Sequence, residues 1–323
     1  MELVVMIPAY NEESTIGNLI RSIPRDVLDE VKVLVINDGS TDNTLVEAEK
    51  VGADKIISFK ENRGLAVTFE KGLDTALQMG ADIIVNIDAD GQYDPREIPK
   101  LVKPIEDGQA DIVLGSRFKG SIEYMPKSKK IGNILATKVT GYLSGIPISD
   151  AQTGFRAFSK YAALRLNVLS EYTYVQETII QAAYKGLTIM EVPCTFSRRT
   201  EGKSRLITNI FGYARRSSIT ILRTYINYKS LKTFFAIGGI LSITGIAIGL
   251  RVLIHFIMTG RVTPYLPSAI LTAVLLIIGF QIMVLGLIAD MVGNNRKLTE
   301  EILYNLKKRD LENRLKQSQP SGQ

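Results

Sequence analysis

Two carboxylates and one side-chain amide follow a short apolar run and could bind a metal ion. Asp88, Asp90 and Gln92 come directly after residues 83–87, Ile-Ile-Val-Asn-Ile. In an extended chain, residues i and i+2 point to the same side, so the two aspartates can face one ligand, and Gln92 can join them where Gly91 lets the chain turn. Carboxylate and amide oxygens suit Mg²⁺ or Mn²⁺, which complete their shell with water and substrate phosphates. The spacing therefore predicts a divalent metal site, with an ordinary Asp-Gly turn as the alternative.

Acidic and amide side chains also follow two earlier apolar runs. Residues 8–12, Pro-Ala-Tyr-Asn-Glu, follow the run 3–7, and residues 37–41, Asn-Asp-Gly-Ser-Thr, follow the run 31–36. In open parallel sheets, ligands bind beyond the carboxyl ends of the strands, so we expect these segments and 88–92 to border one ligand site. No G-x-G-x-x-G follows the first run, which argues against a dinucleotide-binding turn.

Short β-branched runs alternate with helical patterns over residues 1 to about 195. That alternation predicts βαβ units and an α/β fold with a mostly parallel sheet, and the nearly all-apolar strands indicate helices on both of its faces. Ser40 or Thr41 is predicted to cap the amino end of the second helix. We predict strands at 3–7, 31–36, 55–59, 83–87 and 111–114, and helices at 12–23, 42–51, 63–79 and 95–106.

Composition excludes several classes of protein. The chain has 323 residues with 46% hydrophobic content, which allows a sizeable core and excludes a disordered protein. Cys194 and His255 are the only Cys and His, so the chain forms no internal disulfide and no Cys/His zinc site. Any metal must therefore be held by oxygen ligands. The net charge of +6 suits either nucleic acid or an anionic membrane, and its distribution decides between them.

Two long apolar segments near the C-terminus are predicted to span a membrane. A helix needs about 20 apolar residues to cross a bilayer. Residues 233–258 and 265–289 meet that requirement, with Arg251 as their one Lys, Arg, Asp or Glu. We therefore predict a hairpin of two transmembrane helices within 233–291, followed by a cytoplasmic tail, 292–323. A buried helix pair in a soluble core is the alternative.

Basic residues lie mostly on one side of these spans. Residues 196–232 contain nine Lys or Arg and one Glu, a local excess larger than the net charge of the whole chain, whereas the link between the spans carries only Arg261. The positive-inside rule then predicts an integral membrane protein whose N-terminal domain and both termini are cytoplasmic. Segment 211–232 mixes Tyr and Ile with Arg at helical spacing and predicts an amphipathic juxtamembrane helix at the lipid interface. The distribution of charge thus favours a lipid bilayer as the partner and not a nucleic acid. The N-terminal apolar run 3–7 is too short for a signal peptide.

The ordered motifs of the chain resemble those of inverting glycosyltransferase family two. Within that family they resemble the polyprenyl-phosphate hexose synthases, the dolichyl-phosphate mannose and glucose synthase group. The resemblance covers about residues 1–210, and the hairpin that follows is typical of one branch. The motifs are 8–12, 37–40, 62–64 (Asn-Arg-Gly), 88–92, 115–117 (Gly-Ser-Arg), Asp150 with 153–156 (Thr-Gly-Phe-Arg), and Arg199 with Gly202, Ser204 and Arg205.

The resemblance implies a GT-A fold for residues 1–210, a Rossmann-like catalytic domain with a mostly parallel sheet. It implies that Asp88, Asp90 and Gln92 hold Mg²⁺ or Mn²⁺ with the donor diphosphate, and that a mobile loop closes over it. The implied donor-binding residues are Pro8, Ala9, Tyr10, Asn11, Glu12, Asp38, Gly64, Asp88, Ala89, Asp90, Gln92, Arg199 and Arg205. The implied acceptor-phosphate residues are Arg117, Lys129, Lys130, Asn133 and Ser204, and the implied catalytic residues are Asp90, Arg117, Arg199 and Arg205.

The chain departs from the family pattern at three places. Asn37 stands where many members have a first Asp, and Arg205 replaces the usual Lys. Lys129 or Lys130 stands where an acceptor-phosphate Arg is common. A Lys keeps the charge but loses the bidentate fork of Arg, so it would hold a phosphate as a point charge.

The residues fit transfer of a hexose from a donor of the GDP-mannose or UDP-glucose type to polyprenyl (dolichyl) phosphate in a membrane. A bound Mg²⁺ can stabilise the leaving diphosphate as a Lewis acid. A phosphate monoester has a second pKa of about 6 and arrives largely as a dianion, so it needs basic residues to position it rather than a general base. His255, the only His of the chain, lies in a predicted span, which agrees with that expectation.

Two other functions fit parts of the sequence. A processive polysaccharide synthase shares the GT-A domain and membrane helices, but it characteristically carries a Gln-x-x-Arg-Trp motif and more spans, and this chain has no Trp. A membrane-anchored sugar-nucleotide-binding scaffold would keep the fold with a decayed site, whereas both the acidic and the basic sets are present here. The sequence leaves open the sugar, the nucleotide base, the polyprenol and the formation of a homo-oligomer.

Overall fold

A computed structural model of the chain describes residues 1–168, 173–199 and 210–318. These residues form a seven-stranded sheet of β1 (Glu2–Ala9), β2 (Glu30–Asn37), β3 (Lys55–Ser58), β4 (Ile83–Asn86), β5 (Ile112–Ile122), β6 (Arg156–Ser159) and β7 (Ile189–Phe196). Its spatial order is β3-β2-β1-β4-β6-β5-β7. Strand β6 runs antiparallel to β4 and β5, and the other neighbouring pairs are parallel. The predicted α/β fold with a mostly parallel sheet is confirmed.

Helices connect the strands and continue beyond the sheet. A short 3₁₀ turn, Pro95–Glu97, precedes the fourth α-helix. The α-helices of the described residues are α1 (Ile16–Arg21), α2 (Thr44–Lys50), α3 (Leu65–Gln78), α4 (Ile98–Glu106), α5 (Lys127–Ser144), α6 (Lys160–Arg165), α7 (Val175–Tyr184), α8 (Ile210–Thr259) and α9 (Leu266–Ser318).

The core has two apolar layers, one on each face of the sheet. Successive residues of a strand point to opposite faces, so Leu3 packs in the layer under α1, α2 and α4, whereas Val4 packs in the layer under α3, α6 and α7. In the second layer the rings of Phe69 and Tyr174 stack with centroids 3.6 Å apart. Helices thus cover both faces, which explains why the strands read as nearly continuous apolar runs.

The predicted cap of the second helix is wrong, because tertiary hydrogen bonds use the capping side chains elsewhere. Helix α2 begins at Thr44 with Asn43 at its cap position, rather than at Ser40 or Thr41. Ser40 Oγ instead accepts a hydrogen bond from the backbone N–H of Asn11, and the Thr41 N–H donates to Asn11 Oδ1. These two bonds join the loops that follow β1 and β2.

The largest differences in length from the prediction are those of α1 and β5. Helix α1 starts at Ile16 rather than at residue 12, because the Glu12 carbonyl closes a turn by accepting from the N–H groups of Thr15 and Ile16. Strand β5 continues well beyond residue 114, with a shift of its register on β7. Its extension carries one side of the candidate site described below.

Two helices carry the predicted spans. Helix α8 departs from helical geometry at Lys229, with φ −133° and ψ 38°. The segments Tyr228–Thr259 and Leu266–Arg314 are long and apolar enough to cross a membrane, and only 11% of the most apolar window of each is buried. Both agree with a two-helix transmembrane hairpin. Helix α9 runs without a break through residue 292, where the sequence predicted the start of a separate tail.

The chain divides into two compact units. One comprises residues 1–222 and 304–323, and the other comprises residues 223–303. Within the first unit, Lys307 Nζ on α9 lies 3.1 Å from the Asp74 carboxylate on α3. The C-terminal part of α9 therefore contributes to the packing of the α/β domain.

Candidate active site

A cavity of about 420 Å³ opens beyond the carboxyl ends of β1, β2 and β4. The loops after these strands line it together with residues of β5, α5 and the segment that follows β7. Parallel topology brings these loops to one edge of the sheet. The predicted residues that line the cavity are Pro8, Ala9, Tyr10, Glu12, Asp38, Gly64, Asp88, Ala89, Asp90, Gln92, Arg117, Lys129, Asn133 and Arg199.

Four predicted site residues are not among this lining. Asn11 adopts a left-handed φ of 53°, and its Oδ1 accepts a hydrogen bond of 2.7 Å from the Thr41 N–H, so it joins two loops. Lys130 is exposed on α5. Ser204 and Arg205 lie outside the described residues.

Six further residues line the cavity without having been assigned as site residues, although Asn62 belongs to the motif 62–64. Thr68 lies one helical turn after Gly64, and its hydroxyl donates to the Gly64 carbonyl at 3.0 Å. The i, i+4 spacing on α3 could have identified Thr68. Asn62, Leu65 and Tyr93 belong to or directly follow predicted motifs, whereas the remaining two, Gln152 and Phe196, reach the cavity through the fold.

Asp38 organises the loop that leads into α3. Its buried carboxylate accepts hydrogen bonds from the backbone N–H groups of Arg63 (2.8 Å) and Gly64 (3.0 Å) and from the side-chain amide of Asn62 (3.0 Å). These donors offset the cost of removing the charge from water. The carboxylate thus fixes Gly64 at the edge of the cavity.

Asp88 and Asp90 place two carboxylates next to each other after β4. Burial first, and then the charge of Asp90, raises the pKa of Asp88, and burial also raises the pKa of Asp90. Both effects disfavour the ionised forms. Among the described residues, none donates a hydrogen bond to the Asp88 carboxylate. A bound cation would relieve the repulsion between the two carboxylates and replace the water that they have lost.

The neighbouring Gln92 completes a donor set for Mg²⁺ or Mn²⁺. Gly91 turns the chain with a φ of 68°, and Gln92 Nε2 donates to the Ser197 carbonyl at 3.2 Å, which leaves Oε1 as an acceptor for a ligand. The described part of the chain contains no group of three or more His, Cys, Asp or Glu that could hold an ion alone. Two carboxylates and an amide match the partial shell that Mg²⁺ uses with water and phosphate oxygens.

Arg199 contacts the acidic side of the cavity. Its Nη2 forms an ion pair with Glu12, and its Nη1 lies 4.0 Å from Asp90 Oδ2. Its Nε is buried and donates to no described residue. The guanidinium therefore places positive charge beside the carboxylates and keeps a donor for an anionic ligand.

Arg117 is held by a carboxylate of its own. Its Nε and Nη2 donate to Asp150 at 2.6 and 2.8 Å, and both side chains are buried. The guanidinium carbon also lies 5.1 Å from the centre of the Phe196 ring. A bidentate pair of this kind fixes orientation. Arg117 is thus a rigid donor whose charge Asp150 largely neutralises.

Lys129 and Lys130 are neighbours in sequence with different surroundings. Lys129 is half-buried at the cavity, Asn133 one turn later is buried there, and Lys130 is exposed. Consecutive helical residues point about 100° apart, which explains the difference. Burial, followed by the charge of Arg117, lowers the pKa of Lys129. An anion bound in the cavity would favour its protonated form.

The chain is similar in sequence to known glycosyltransferases. The sequence profile of glycosyl transferase family 2 matches residues 4–166. The UDP-N-acetylglucosamine–dolichyl-phosphate N-acetylglucosaminyltransferase of Methanococcus voltae is 37% identical over 215 residues, which cover 59% of this chain and 84% of that protein. A dolichyl-phosphate hexose transferase of Haloferax volcanii is 31% identical over 205 residues, which cover 64% of this chain and 86% of that protein.

The fold is also that of a solved structure. Glucosyl-3-phosphoglycerate synthase from Mycobacterium tuberculosis was crystallised in complex with Mn²⁺, UDP and glucosyl-3-phosphoglycerate. It aligns with a TM-score of 0.55 at 22% identity, over 69% of this chain and 79% of its own. The predicted GT-A fold is confirmed.

Gly154 lies against the carboxylate of Asp88, and we expect a side chain there to weaken metal binding. A Cβ at Gly154 would lie 2.8 Å from Asp88 Cγ. Overpacking of this kind costs roughly 1–3 kcal/mol. Gly154→Ala should therefore weaken Mn²⁺ binding by about tenfold or more, measured by electron paramagnetic resonance of free Mn²⁺. Gly132→Ala is the control, because nothing lies within 4 Å of a Cβ there. Equal affinities in all three proteins would contradict the assignment of Asp88 as a metal ligand.

Proposed function

The chain belongs to glycosyl transferase family 2, and we propose that it transfers a hexose from a nucleotide-diphosphate sugar to polyprenyl (dolichyl) phosphate. The product would be a lipid-linked phospho-sugar that serves as a donor for glycosylation. Dolichyl phosphate enters the proposal because it appears in the names of the two relatives described above. The two apolar helices agree with a substrate that resides in a membrane.

The proposal rests on one observation. A single cavity contains two different means of binding phosphate. The carboxylate pair Asp88 and Asp90 suits a diphosphate bound through a cation. Lys129 and Arg117 suit a phosphate bound directly, and Arg199 lies near Asp90. A reaction between a nucleotide-diphosphate sugar and a phosphate acceptor requires both.

On the donor side, we assign the loop after β1 and the Gly64 turn to the nucleoside. Pro8, Ala9, Tyr10 and Glu12 line the cavity there, and Asp38 holds the Gly64 turn in place. We assign Asp88, Asp90 and Gln92 to Mg²⁺ or Mn²⁺. When bound, the ion would act as a Lewis acid that offsets the charge developing on the leaving diphosphate.

On the acceptor side, we assign Arg117, Lys129 and Asn133 to the lipid phosphate. A phosphate oxygen attacks the anomeric carbon, and its lone pair forms the new C–O bond. The bond from that carbon to the diphosphate breaks, and its electron pair leaves with the nucleoside diphosphate. A single displacement of this kind inverts the anomeric configuration. The acceptor is largely a dianion at neutral pH, so these side chains position it without removing a proton.

Arg199 is proposed to stabilise the leaving group. In the structure it is paired with Glu12 and close to Asp90. A donor diphosphate would offer a stronger partner, since guanidinium binds phosphate oxygens with charge-assisted hydrogen bonds. Arg205 and Ser204, in the same basic segment of the sequence, are proposed to join it. Stabilisation of this kind is useful only if it grows as the diphosphate leaves.

The membrane arrangement is proposed from sequence and helix length. The spans would lie within 233–291, the juxtamembrane segment 211–232 at the interface, and the α/β domain and residues 292–323 in the cytoplasm. This placement brings the enzyme to its acceptor, because exposing a polyprenyl chain to water costs about 0.8 kcal/mol for each CH₂. A processive polysaccharide synthase is disfavoured, because the chain has no Trp for the Gln-x-x-Arg-Trp motif.

Transfer of label into lipid tests the function directly. Purified full-length protein is incubated with Mg²⁺, dolichyl or undecaprenyl phosphate, and a panel of radiolabelled UDP and GDP sugars that includes glucose, mannose and N-acetylglucosamine. We expect one donor to label an organic-extractable lipid, and we expect Asp90→Ala or removal of metal with EDTA to abolish the labelling. Asp26→Ala, at an exposed position, is the control. Absence of labelled lipid with every donor would contradict the proposal.

The adjacent lysines of α5 test the acceptor site. Lys129→Ala removes a charged donor from the cavity, and a hydrogen bond to a charged group contributes about 1.5–3 kcal/mol. We expect the KM for polyprenyl phosphate to rise by about 10- to 100-fold, with a small change in donor affinity. Lys130→Ala is the matched control, since Lys130 is exposed outside the cavity. Similar kinetics for the two variants would place the acceptor phosphate elsewhere.

Arg199→Ala separates binding of the donor from stabilisation of the leaving group. Loss of one preorganised donor to a developing charge lowers kcat by about 10²–10³. We expect a fall of that order in kcat, a smaller change in the donor Kd measured by calorimetry, and partial recovery in Arg199→Lys. Equal losses in donor affinity and kcat/KM with an unchanged kcat would contradict this role.

A further inference from the structure

Helix α5 buries polar side chains and exposes apolar ones, which is the reverse of an ordinary surface helix. Its buried residues are polar, namely Asn133, Thr137 and Thr140. Ile131 and Leu135 are instead 67% and 62% exposed. In a helix that faces water, the apolar stripe packs on the core and the polar face points outward. The outward face of α5 is therefore suited to surroundings other than water.

Hydrogen bonds fix α5 in this orientation. The Thr137 hydroxyl accepts from the Ala151 N–H at 3.0 Å. The Tyr184 hydroxyl on α7 donates to the Leu143 carbonyl near the end of the helix at 2.8 Å. Rotation of α5 to bury its apolar face would break the hydrogen bond between the Thr137 hydroxyl and the Ala151 N–H. The apolar stripe is thus a constant feature of the surface.

Exposed apolar side chains of the α/β domain are concentrated on this helix. Among the described residues up to 199, nine large apolar side chains are exposed, and five of them belong to α5. Spacings of three and four residues align most of them in one stripe. Single exposed apolar residues are ordinary, but a contiguous group marks an interaction surface. The five are Ile131, Ile134, Leu135, Val139 and Tyr142.

Lysines accompany the stripe. Helix α5 contains Lys127, Lys129, Lys130 and Lys138 and no Asp or Glu. An apolar face beside lysines suits the surface of an anionic bilayer, where each Lys contributes about 1 kcal/mol. A symmetric contact with a second copy would instead bring the same positive helix against itself. Charge therefore favours lipid over a second copy of the chain.

We propose that α5 lies in the surface of an anionic bilayer, with Ile131, Leu135 and Tyr142 at the boundary between headgroups and acyl chains. This inference rests on the membrane location in the proposed function but not on the reaction. Lys129 and Asn133 belong to the same helix and line the cavity. Insertion of α5 would bring the cavity to the depth of the lipid phosphates, so that an acceptor phosphate reaches Lys129 while its polyprenyl chain stays in the bilayer.

Spin labels on the full-length chain test the depth of α5. The protein is reconstituted in nanodiscs of phosphatidylcholine with phosphatidylglycerol. Leu135→Cys and Ile131→Cys carry a nitroxide on α5, and Val46→Cys, at a 45% exposed apolar position of α2, is the matched control. Burial raises the pKa of the native Cys194 thiol to about 12, so this thiol does not compete for the label. We expect the ratio of collisions with O₂ to collisions with a water-soluble nickel chelate to be several-fold higher on α5 than at position 46.

Three outcomes would contradict the proposal or a part of it. Equal ratios on α5 and at position 46 would show that the stripe faces water. Shielding of the labels from both O₂ and the nickel chelate would indicate a contact with another copy of the protein. We also expect the double variant Lys127→Glu and Lys138→Glu to lower the ratio in anionic nanodiscs, and an unchanged ratio would overturn the role of anionic lipid. Sugar transfer is not part of this readout, so a failure of the proposed reaction would be recognised separately.

Discussion

The carboxylate pair after β4 is the constraint on which the rest of the site depends. Asp88 and Asp90 are partly removed from water and repel each other, so they remain ionised only if positive charge lies nearby. Burial raises the pKa of Asp88, whereas the charges of Arg117 and Arg156 oppose that effect. Arg156 is fully buried, and within the described residues it donates only to neutral oxygens. Its charge is therefore available to act on the carboxylates.

The arginines of the site differ in what their partners leave for a ligand. Arg117 shares its charge with Asp150 at hydrogen-bond distance, so it supplies fixed direction more than net charge. Arg156 has no carboxylate partner among the described residues, but it is enclosed in the core. Arg199 pairs with Glu12, which itself lines the cavity, and we propose that it exchanges this partner for the donor diphosphate. All three residues are arginines, so the sequence alone does not distinguish their roles. Only their tertiary partners do.

Sequence periodicity predicted β1 to β5, because most of these strands are buried on both faces and leave continuous apolar runs, but it did not predict β7, which also pairs in parallel. Their position directly after a predicted strand likewise identified Asp88 and Asp90 as candidate metal ligands. Periodicity did not identify α5, because a helix with Thr137 inward and Leu135 outward reverses the pattern that marks a surface helix. Phe196 reaches the cavity through packing between distant segments, for which the local sequence carries no signal. The failures thus fall where tertiary contacts or an apolar environment override local rules.

The proposed reaction brings two anions into a cavity that already contains a carboxylate pair. The donor carries a diphosphate, and the acceptor carries a phosphate that is largely doubly charged at neutral pH. Arg117 is paired with Asp150 and Arg199 with Glu12, so among the described residues Lys129 and the buried Arg156 add their positive charge to that of a divalent cation. These positive charges are fewer than the negative ones. We propose that Arg205 and its neighbours in sequence supply part of the missing charge when both substrates are bound. Charge supplied from outside the sheet would add no further unpaired cation to a core that already encloses Arg156.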